Sequence, residues 1–222
     1  MLELLAVLLC SYLIGSIPVG FLVVRKKANV DIRDAGSGRA GGFNAYVVTR
    51  SRLTGVLVGI LDAMKGLFPV LAATLIFPGS FLHGGLSLFG AIVGHNLPVW
   101  TRFQGGRGLA TAAGGMMLLG FSFAILWCLI WFITKVALRR DILVSNLAAI
   151  MATPLTLWIL PWSWVNKLVA VKVDEGAFAF FCCVLTMVLL LSHLDVLNDV
   201  WQGKPTEQPE GTSTQSKTSE KP

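Results

Sequence analysis

Long apolar stretches alternate with short polar segments over most of this chain of 222 residues. A helix needs roughly 20 apolar residues to cross about 30 Å of hydrocarbon. One stretch is too short for that, because its 13 residues rise only about 20 Å as a helix. We therefore predict an all-α protein, a polytopic membrane helical bundle of about seven spans with one of them short. The predicted spans are 2–24, 53–77, 81–100, the short 108–120, 121–136, 142–160 and 177–194.

The segments between the spans support the same organisation. Pro78 and Gly79 predict a tight turn, and the connector 161–176 carries tryptophans of the kind that anchor helices at a membrane surface. From residue 202 onward the chain is rich in Pro, Gly, Ser, Thr, Glu and Lys, a composition that cannot bury enough surface to fold. We predict one integral membrane domain over 1–201 and a disordered cytoplasmic tail over 202–222.

Composition and charge narrow the class further. Hydrophobic residues make up 55% of the chain and charged residues 14%, whereas a soluble domain carries roughly a quarter charged residues. The net charge of +6 comes from basic loops, which predicts a cytoplasmic side for those loops rather than nucleic-acid binding. Seven spans then place the N-terminus outside and the C-terminus inside. The basic residues are Arg25, Lys26, Lys27, Arg33, Arg39, Arg50 and Arg52 in one loop, Arg102 and Arg107 in a second, and Lys135, Arg139 and Arg140 in a third.

The first basic loop contains a glycine-rich stretch from Gly36 to Asn44. Glycines let backbone N–H groups turn toward an anion, and Ser37 adds a hydroxyl group. The same composition is also typical of a flexible loop between two spans. The stretch is therefore a candidate phosphate site, with a plain connector as the alternative.

A second glycine-rich stretch, residues 105–108, opens the short predicted span with Arg107 inside it. Free N–H groups at a helix start attract anions, and an arginine binds phosphate oxygens through two parallel hydrogen bonds. A helix cap would need no ligand, but the added cation favours anion binding.

Three further polar groups lie within or beside spans. Asp62 and Lys65 are three residues apart, on one helical face, and charges at membrane depth are normally paired or functional. A structural pair is the favoured interpretation. His95 and His193 lie near the predicted cytoplasmic ends of two spans, where each is a structural group or a catalyst. Adjacent Cys182 and Cys183 with two remote cysteines match no metal-ligand spacing, so neither a metal nor another cofactor is expected.

Taken in order, these motifs resemble the acyl-phosphate-dependent glycerol-3-phosphate acyltransferase family of bacterial membranes (PlsY). No single motif is specific, but their order and spacing agree over nearly the whole predicted domain. The matching stretches are Gly15-Ser16-Ile17-Pro18-Val19-Gly20, Asp31-x-Arg33-x-x-Gly36-Ser37-Gly38 with Asn44, Asp62-x-x-Lys65-Gly66, Gly94-His95-x-x-Pro98-Val99, Gly105-Gly106-Arg107-Gly108-x-Ala110-Thr111, and His193 with Gly203.

The resemblance implies an enzyme that moves a fatty acyl group from acyl-phosphate to glycerol 3-phosphate, giving lysophosphatidic acid for phospholipid synthesis in the cell membrane. It implies catalytic roles for Ser37, Arg107 and His193. The substrate-binding residues that it implies are Gly36, Gly38, Arg39, Asn44, Arg50, His95, Gly105, Gly106 and Gly108.

The chain also departs from the family pattern at polar positions. Val47 stands where an arginine is expected, Gln104 where a lysine is expected, and Val196 where an asparagine is expected. Arg107 replaces a lysine, which changes the shape of the cation. These departures leave open a catalytically impaired paralogue that binds a phosphorylated lipid or metabolite. A small transporter lined by the Asp62–Lys65 pair is a further alternative.

Overall fold

The computed structural model describes residues 1–204, and these residues form helices joined by short turns. Shorter helical turns lie at Ile32–Asp34, Val99–Thr101, Ile133–Ala137 and Asn166–Leu168. The predicted tail falls almost entirely on residues 205–222, outside the described part of the chain. The helices are α1 Leu2–Gly15, α2 Val19–Ala28, α3 Gly42–Thr49, α4 Arg52–Ile76, α5 Phe81–Asn96, α6 Leu109–Leu119, α7 Phe121–Phe132, α8 Ile142–Ile159, α9 Trp162–Val165, α10 Glu175–Leu191 and α11 Leu194–Trp201.

The helical membrane class agrees with the prediction. Three segments are long and apolar enough by themselves to span a bilayer: Leu2–Ala28, Arg52–Ile76 and Ile142–Ile159. A fourth is added if α10 and α11, which meet at a bend of 66°, count as one broken span. The predicted short span is α6, with 11 residues, and the segment Phe121–Ala137 is also shorter than a full span. The count of seven stays a prediction.

Two boundaries differ from those that the sequence suggests. The single helix predicted over 2–24 is broken after Gly15, and Pro18 precedes the first residue of α2. Proline lacks a backbone N–H and disfavours helix in the residue before it, which explains the break. The basic loop predicted over 25–52 contains a helix of its own, α3. Its glycine-rich stretch therefore follows the helical turn Ile32–Asp34 and ends within α3.

Small residues bring the central helices together. A Cβ atom at Gly66 would overlap the backbone of Thr111, and one at Gly114 would overlap the backbone of Ala63. Close backbone approach at small residues is typical of helix pairs in membranes, where no hydrophobic effect drives the helices together. The contact places Asp62, on α4, beside the start of α6. The Thr111 hydroxyl donates a hydrogen bond of 3.0 Å to the Asp62 carbonyl oxygen.

The chain between α10 and α11 turns sharply back toward the second basic loop. His193 precedes the first residue of α11, and the bend between the two helices is 66°. The predicted helix 177–194 therefore ends at Leu191 and begins two residues earlier, at Glu175. The first turn of α11 lies next to Arg107, which brings the C-terminal part of the described chain into contact with the candidate site.

Candidate functional site

A cavity of about 500 Å³ lies between the two glycine-rich loops and the helices α3, α4 and α6. Its polar lining comes from the two loops and from helices α4, α5 and α8, and its apolar lining includes Val56, Leu109 and Leu143. The two loops are joined directly, because the Ala40 N–H donates to the Gly105 carbonyl oxygen at 3.2 Å. Asp62 of the predicted structural pair lines this cavity, together with six of the residues predicted for catalysis or substrate binding. The six are Ser37, Arg39, Asn44, His95, Arg107 and Gly108.

Other predicted site residues do not line the cavity. Arg50 lies exposed at the C-terminal end of α3, and His193 is completely buried behind the second loop. Gly36, Gly38, Gly105 and Gly106 lie in the loops but contribute no wall to the cavity. These four glycines shape the loops, and none of them lies where it would touch a molecule in the cavity.

Asn44 organises the first loop. Its side-chain amide nitrogen lies 3.1 Å from the carbonyl oxygen of Ile32, 3.0 Å from that of Ala35 and 2.9 Å from that of Arg39. Its amide oxygen accepts a hydrogen bond of 2.9 Å from the N–H of Ser37. The side chain is 3% exposed, so its polar atoms are engaged with the loop. The geometry favours a positioning role for Asn44 over direct substrate binding.

Gly36 shows why this loop requires glycine. Its φ is +61°, and an added Cβ would overlap the amide oxygen of Asn44. A side chain at position 36 would therefore strain the backbone and displace the asparagine that holds the loop.

The second loop packs directly against His95. The Gly106 N–H donates to the His95 carbonyl oxygen at 3.1 Å, and a Cβ at position 106 would overlap the imidazole ring. Glycine is thus required here for close approach to the histidine. His95 in turn lines the cavity, so the contact fixes one wall of the site.

His95 also completes a buried ionic cluster with Asp62 and Lys65. The Lys65 Nζ lies 2.9 Å from the Asp62 carboxylate and 3.0 Å from Nδ1 of His95. It also donates to the Ile17 carbonyl oxygen at 2.9 Å, at the break between α1 and α2. This cluster joins α4 and α5 to the chain between α1 and α2. It supports the predicted structural pair and argues against a pair that lines a transport path.

Two cations of the cavity wall share one carboxylate. The Arg107 Nη2 donates to Oδ2 of Asp195 at 2.9 Å, and the Arg39 Nε lies 3.4 Å from the same oxygen. Asp195 belongs to α11 and does not line the cavity itself. An arginine can bind a carboxylate through one edge and keep the remaining donors for a second anion.

Ser192 and His193 hold the start of α11 against the second loop. The Ser192 hydroxyl lies 2.8 Å from the Arg107 carbonyl oxygen, and the His193 Nδ1 lies 2.7 Å from the Leu189 carbonyl oxygen. The first contact ties the chain just before α11 to Arg107, and the second ties His193 to the end of α10.

An ion pair outside the spans fastens the first loop to the second. Arg33 contacts the Asp31 carboxylate at 2.6 Å and donates to the Thr101 carbonyl oxygen at 3.3 Å. The hydrogen bond from Arg33 lowers the pKa of Asp31 below its ordinary value, against the opposing effect of burial. Asp31 also accepts the Arg33 N–H at 3.0 Å, which begins the helical turn Ile32–Asp34.

Sequence reasoning missed two charged groups at the site. Arg52 lines the cavity from the first turn of α4, although the sequence presents it only as one of many loop cations. Asp195 looked like an ordinary residue of a helix end, since nothing in its local pattern links it to Arg39, 156 positions away. Only the bend after α10 brings the two together.

Among residues 1–204, no group of three or more His, Cys, Asp or Glu side chains is placed to hold a metal ion. The cavity lining instead combines the cations Arg39, Arg52 and Arg107 with apolar side chains. A membrane protein with such a cavity is suited to a molecule that joins a phosphate to a fatty chain, as enzymes of lipid synthesis require.

The family model described as glycerol-3-phosphate acyltransferase matches residues 5–203, and the chain belongs to this family. The protein named glycerol-3-phosphate acyltransferase from Bradyrhizobium diazoefficiens is 34% identical over 198 residues, covering 89% of this chain and 91% of that protein. The protein of the same name from Pseudomonas putida strain W619 is 36% identical over 203 residues, covering 88% and 95%. These matches confirm the resemblance noted from the motifs.

Solved structures agree with the family assignment. The crystal structure of PlsY, an integral membrane glycerol 3-phosphate acyltransferase, in its glycerol 3-phosphate form matches with a TM-score of 0.74 and 28% identity, covering 92% of this chain and 94% of that one. Its lysophosphatidic acid form matches with a TM-score of 0.71 and 26% identity over the same shares. The all-helical membrane fold and the acyltransferase class are therefore both confirmed.

Proposed function

We propose that this protein transfers a fatty acyl group from acyl-phosphate to a hydroxyl group of glycerol 3-phosphate, releasing lysophosphatidic acid and inorganic phosphate. The observation that carries the proposal is one cavity lined both by the cations Arg39 and Arg107 and by the apolar Leu109 and Leu143. Each substrate has a phosphate group, and the donor also has a long apolar chain. The relatives' names and the glycerol 3-phosphate form of PlsY support the acceptor, and its lysophosphatidic acid form supports the product.

The reaction requires geometry more than a dedicated nucleophile. The acceptor oxygen attacks the acyl carbonyl carbon, the bond from that carbon to the phosphate oxygen breaks, and the hydroxyl proton leaves with the phosphate. Holding the acceptor phosphate against Arg39 and Arg107 brings its hydroxyl to the acyl group, and such positioning supplies much of the rate. Arg107, with its guanidinium at the wall, holds that phosphate while negative charge develops in the transition state.

Ser37 is placed to contribute to the same phosphate end. It lines the cavity at the tip of the first loop, and its own N–H is taken by the Asn44 amide oxygen. The hydroxyl is therefore the polar group through which Ser37 meets a ligand. His193, with its ring buried behind the second loop, acts on the site through the position of α11.

The test is a direct assay of purified protein in detergent or lipid nanodiscs. With acyl-phosphate and glycerol 3-phosphate supplied, lysophosphatidic acid and inorganic phosphate are expected in equal amounts, and neither without the acceptor. Lack of turnover under conditions in which the Pseudomonas putida relative is active would exclude this substrate pair.

A second candidate is a catalytically impaired paralogue that binds a phosphorylated lipid or metabolite. The observation in its favour is the apolar character of Val47 and Val196, where the family resemblance implies an arginine and an asparagine; Val196 is 1% exposed. Saturable binding of glycerol 3-phosphate without product would support this candidate over the enzyme.

We also infer that the protein resides in the cell membrane with its N-terminus outside and its C-terminus in the cytoplasm. The support is the clustering of basic residues in the loops that form the cavity, since cytoplasmic loops carry an excess of Lys and Arg. A green fluorescent protein fused to the C-terminus is expected to fluoresce, whereas a fusion exported across the membrane would stay dark.

A further inference from the structure

Asp195 is the acidic group through which α11 meets the cavity wall. One of its carboxylate oxygens contacts two arginines, Arg107 at 2.9 Å and Arg39 at 3.4 Å. The two arginines come from loops 68 positions apart in the sequence. Two guanidinium groups held side by side repel each other, and a carboxylate between them offsets that repulsion.

The chain between α10 and the first turn of α11 holds the Asp195 carboxylate in place. At the bend after α10 the Ser192 hydroxyl lies 2.8 Å from the Arg107 carbonyl oxygen. The chain around the bend therefore contacts the main chain of Arg107 through Ser192 and its side chain through Asp195. Val196, the next residue, is 1% exposed and packs with Leu143 and Leu147 of α8. Asp195 is therefore held at a fixed position relative to both loops.

The arginines keep donors that Asp195 does not use. Arg107 binds the carboxylate through Nη2, and its Nε is buried without a partner. Arg39 approaches the carboxylate with Nε, which leaves its two terminal nitrogens for another anion. Both arginines line the cavity whereas Asp195 does not, so an anion in the cavity meets the arginines and not the carboxylate.

We propose that Asp195 is a positioning residue that fixes Arg39 and Arg107 as one two-cation subsite for the phosphate of the acyl acceptor. The inference rests on the proposed function and deepens it. Arg39 supplies the second cation of the subsite, and Asp195 acts through the two arginines without contacting the acceptor. Without the carboxylate, the two like charges separate and the subsite loses its geometry.

The first experiment compares Asp195→Ala with Asp199→Ala, a matched change one turn further along α11. Because misplacing a binding group weakens the bound state, we expect Asp195→Ala to raise the KM for glycerol 3-phosphate roughly tenfold or more. The kcat should fall less than about threefold, and Asp199→Ala should change neither. A lowered KM would mean that the carboxylate competes with phosphate, and an unchanged KM or a loss of kcat alone would equally overturn the proposal.

A double-mutant cycle then tests whether Asp195 acts through Arg39. In an Arg39→Ala background, Asp195→Ala should raise the KM further by clearly less than it does in the wild type, because the arginine that it positions is already gone. Full additivity of the two effects would contradict the proposal. Asp195→Asn, which keeps the size of the side chain, repeats the comparison if the alanine variant does not purify as a monodisperse protein.

Binding measurements separate this inference from the proposed function. If wild-type protein gives no turnover, titration calorimetry with glycerol 3-phosphate and with inorganic phosphate still reports the subsite. A weaker binding of both by Asp195→Ala than by Asp199→Ala then supports the inference although acyl transfer fails. Equal binding by wild type and Asp195→Ala would overturn the inference even if the wild-type enzyme is active.

Discussion

Two ionic clusters lie near the cavity, and they use similar charges in different ways. In the first, Asp62 and Lys65 have side chains that are 2% and 8% exposed, and Lys65 also contacts His95 and a backbone carbonyl. In the second, Asp195 and Arg39 have side chains that are 36% and 35% exposed. In the first cluster the Lys65 ammonium has three partners, while in the second the Arg107 Nε has none.

The difference teaches that unused hydrogen-bonding capacity, rather than charge alone, separates a structural group from a binding group. A charge at membrane depth is costly unless it is paired, and the Lys65 ammonium meets that requirement with three contacts. The arginines of the second cluster line the cavity, where their charge is available to an anion. Substitutions in the two clusters should therefore affect different properties of the protein.

The largest effect is expected from Lys65→Ala. The change leaves the Asp62 carboxylate buried without its ammonium partner, and removing one member of a buried pair typically costs about 3–5 kcal/mol. We expect a strongly lowered thermal unfolding temperature in detergent, followed by the intrinsic fluorescence of the tryptophans.

The matched control is the double variant Asp62→Asn, Lys65→Met, which removes both charges and keeps their volumes. Replacing a whole buried pair is often close to neutral, so the double variant should be more stable than Lys65→Ala. If it is less stable than the single variant, the cluster holds the helices by more than the pairing of its charges.

Arg107→Ala is expected to abolish most activity with little effect on folding. The substitution removes the cation at the centre of the second cluster, and the loss of one group that stabilises transition-state charge costs roughly 100-fold or more. The measurement is kcat/KM for lysophosphatidic acid formation. Arg102→Ala is the control on the same loop, since Arg102 is exposed and does not line the cavity; equal losses in both variants would show only a general dependence on loop charge.

The sequence predicts the first cluster, around Lys65, better than the second, around Asp195. Asp62 and Lys65 are three residues apart on one helix, so local periodicity is enough to pair them. The membrane helices follow from the lengths of their apolar stretches, and the family follows from the order of the motifs. These features depend on short-range pattern, which a single chain displays directly.

The remaining site residues depend on contacts between distant parts of the chain. Asp195 reaches Arg39 only through the bend between α10 and α11, and Arg50 is turned away from the cavity by the end of α3, where its φ is +53°. Neither geometry is encoded in residue spacing. Similarly, Asn44 reads as a ligand-binding amide in a glycine-rich stretch, while its four contacts hold the loop together.

Asn44→Ala should lower activity by an intermediate amount. The variant frees the Ser37 N–H and three carbonyl groups, so the first loop loses the position in which Ser37 and Arg39 face the cavity. We expect kcat/KM to fall roughly tenfold, because small misplacements of binding groups are costly. Arg50→Ala, at the C-terminal end of the same helix but outside the cavity, should retain activity. A comparable loss in that variant would mean that Arg50 belongs to the site.

The smallest effect is expected from Asp31→Asn, which keeps an acceptor for the Arg33 N–H and removes the charge. Since the pKa of Asp31 is lowered in the folded protein, its contribution to stability is present above the pKa of the unfolded chain, about 3.9. It is lost as the pH falls through the lower folded value. A partly exposed ion pair is worth roughly 0.5–1 kcal/mol. Thermal unfolding should therefore show wild type slightly more stable than the variant at pH 6, with the gap closing below about pH 4. A gap of the same size at pH 3 would mean that the Asp31 charge does not fasten the two loops.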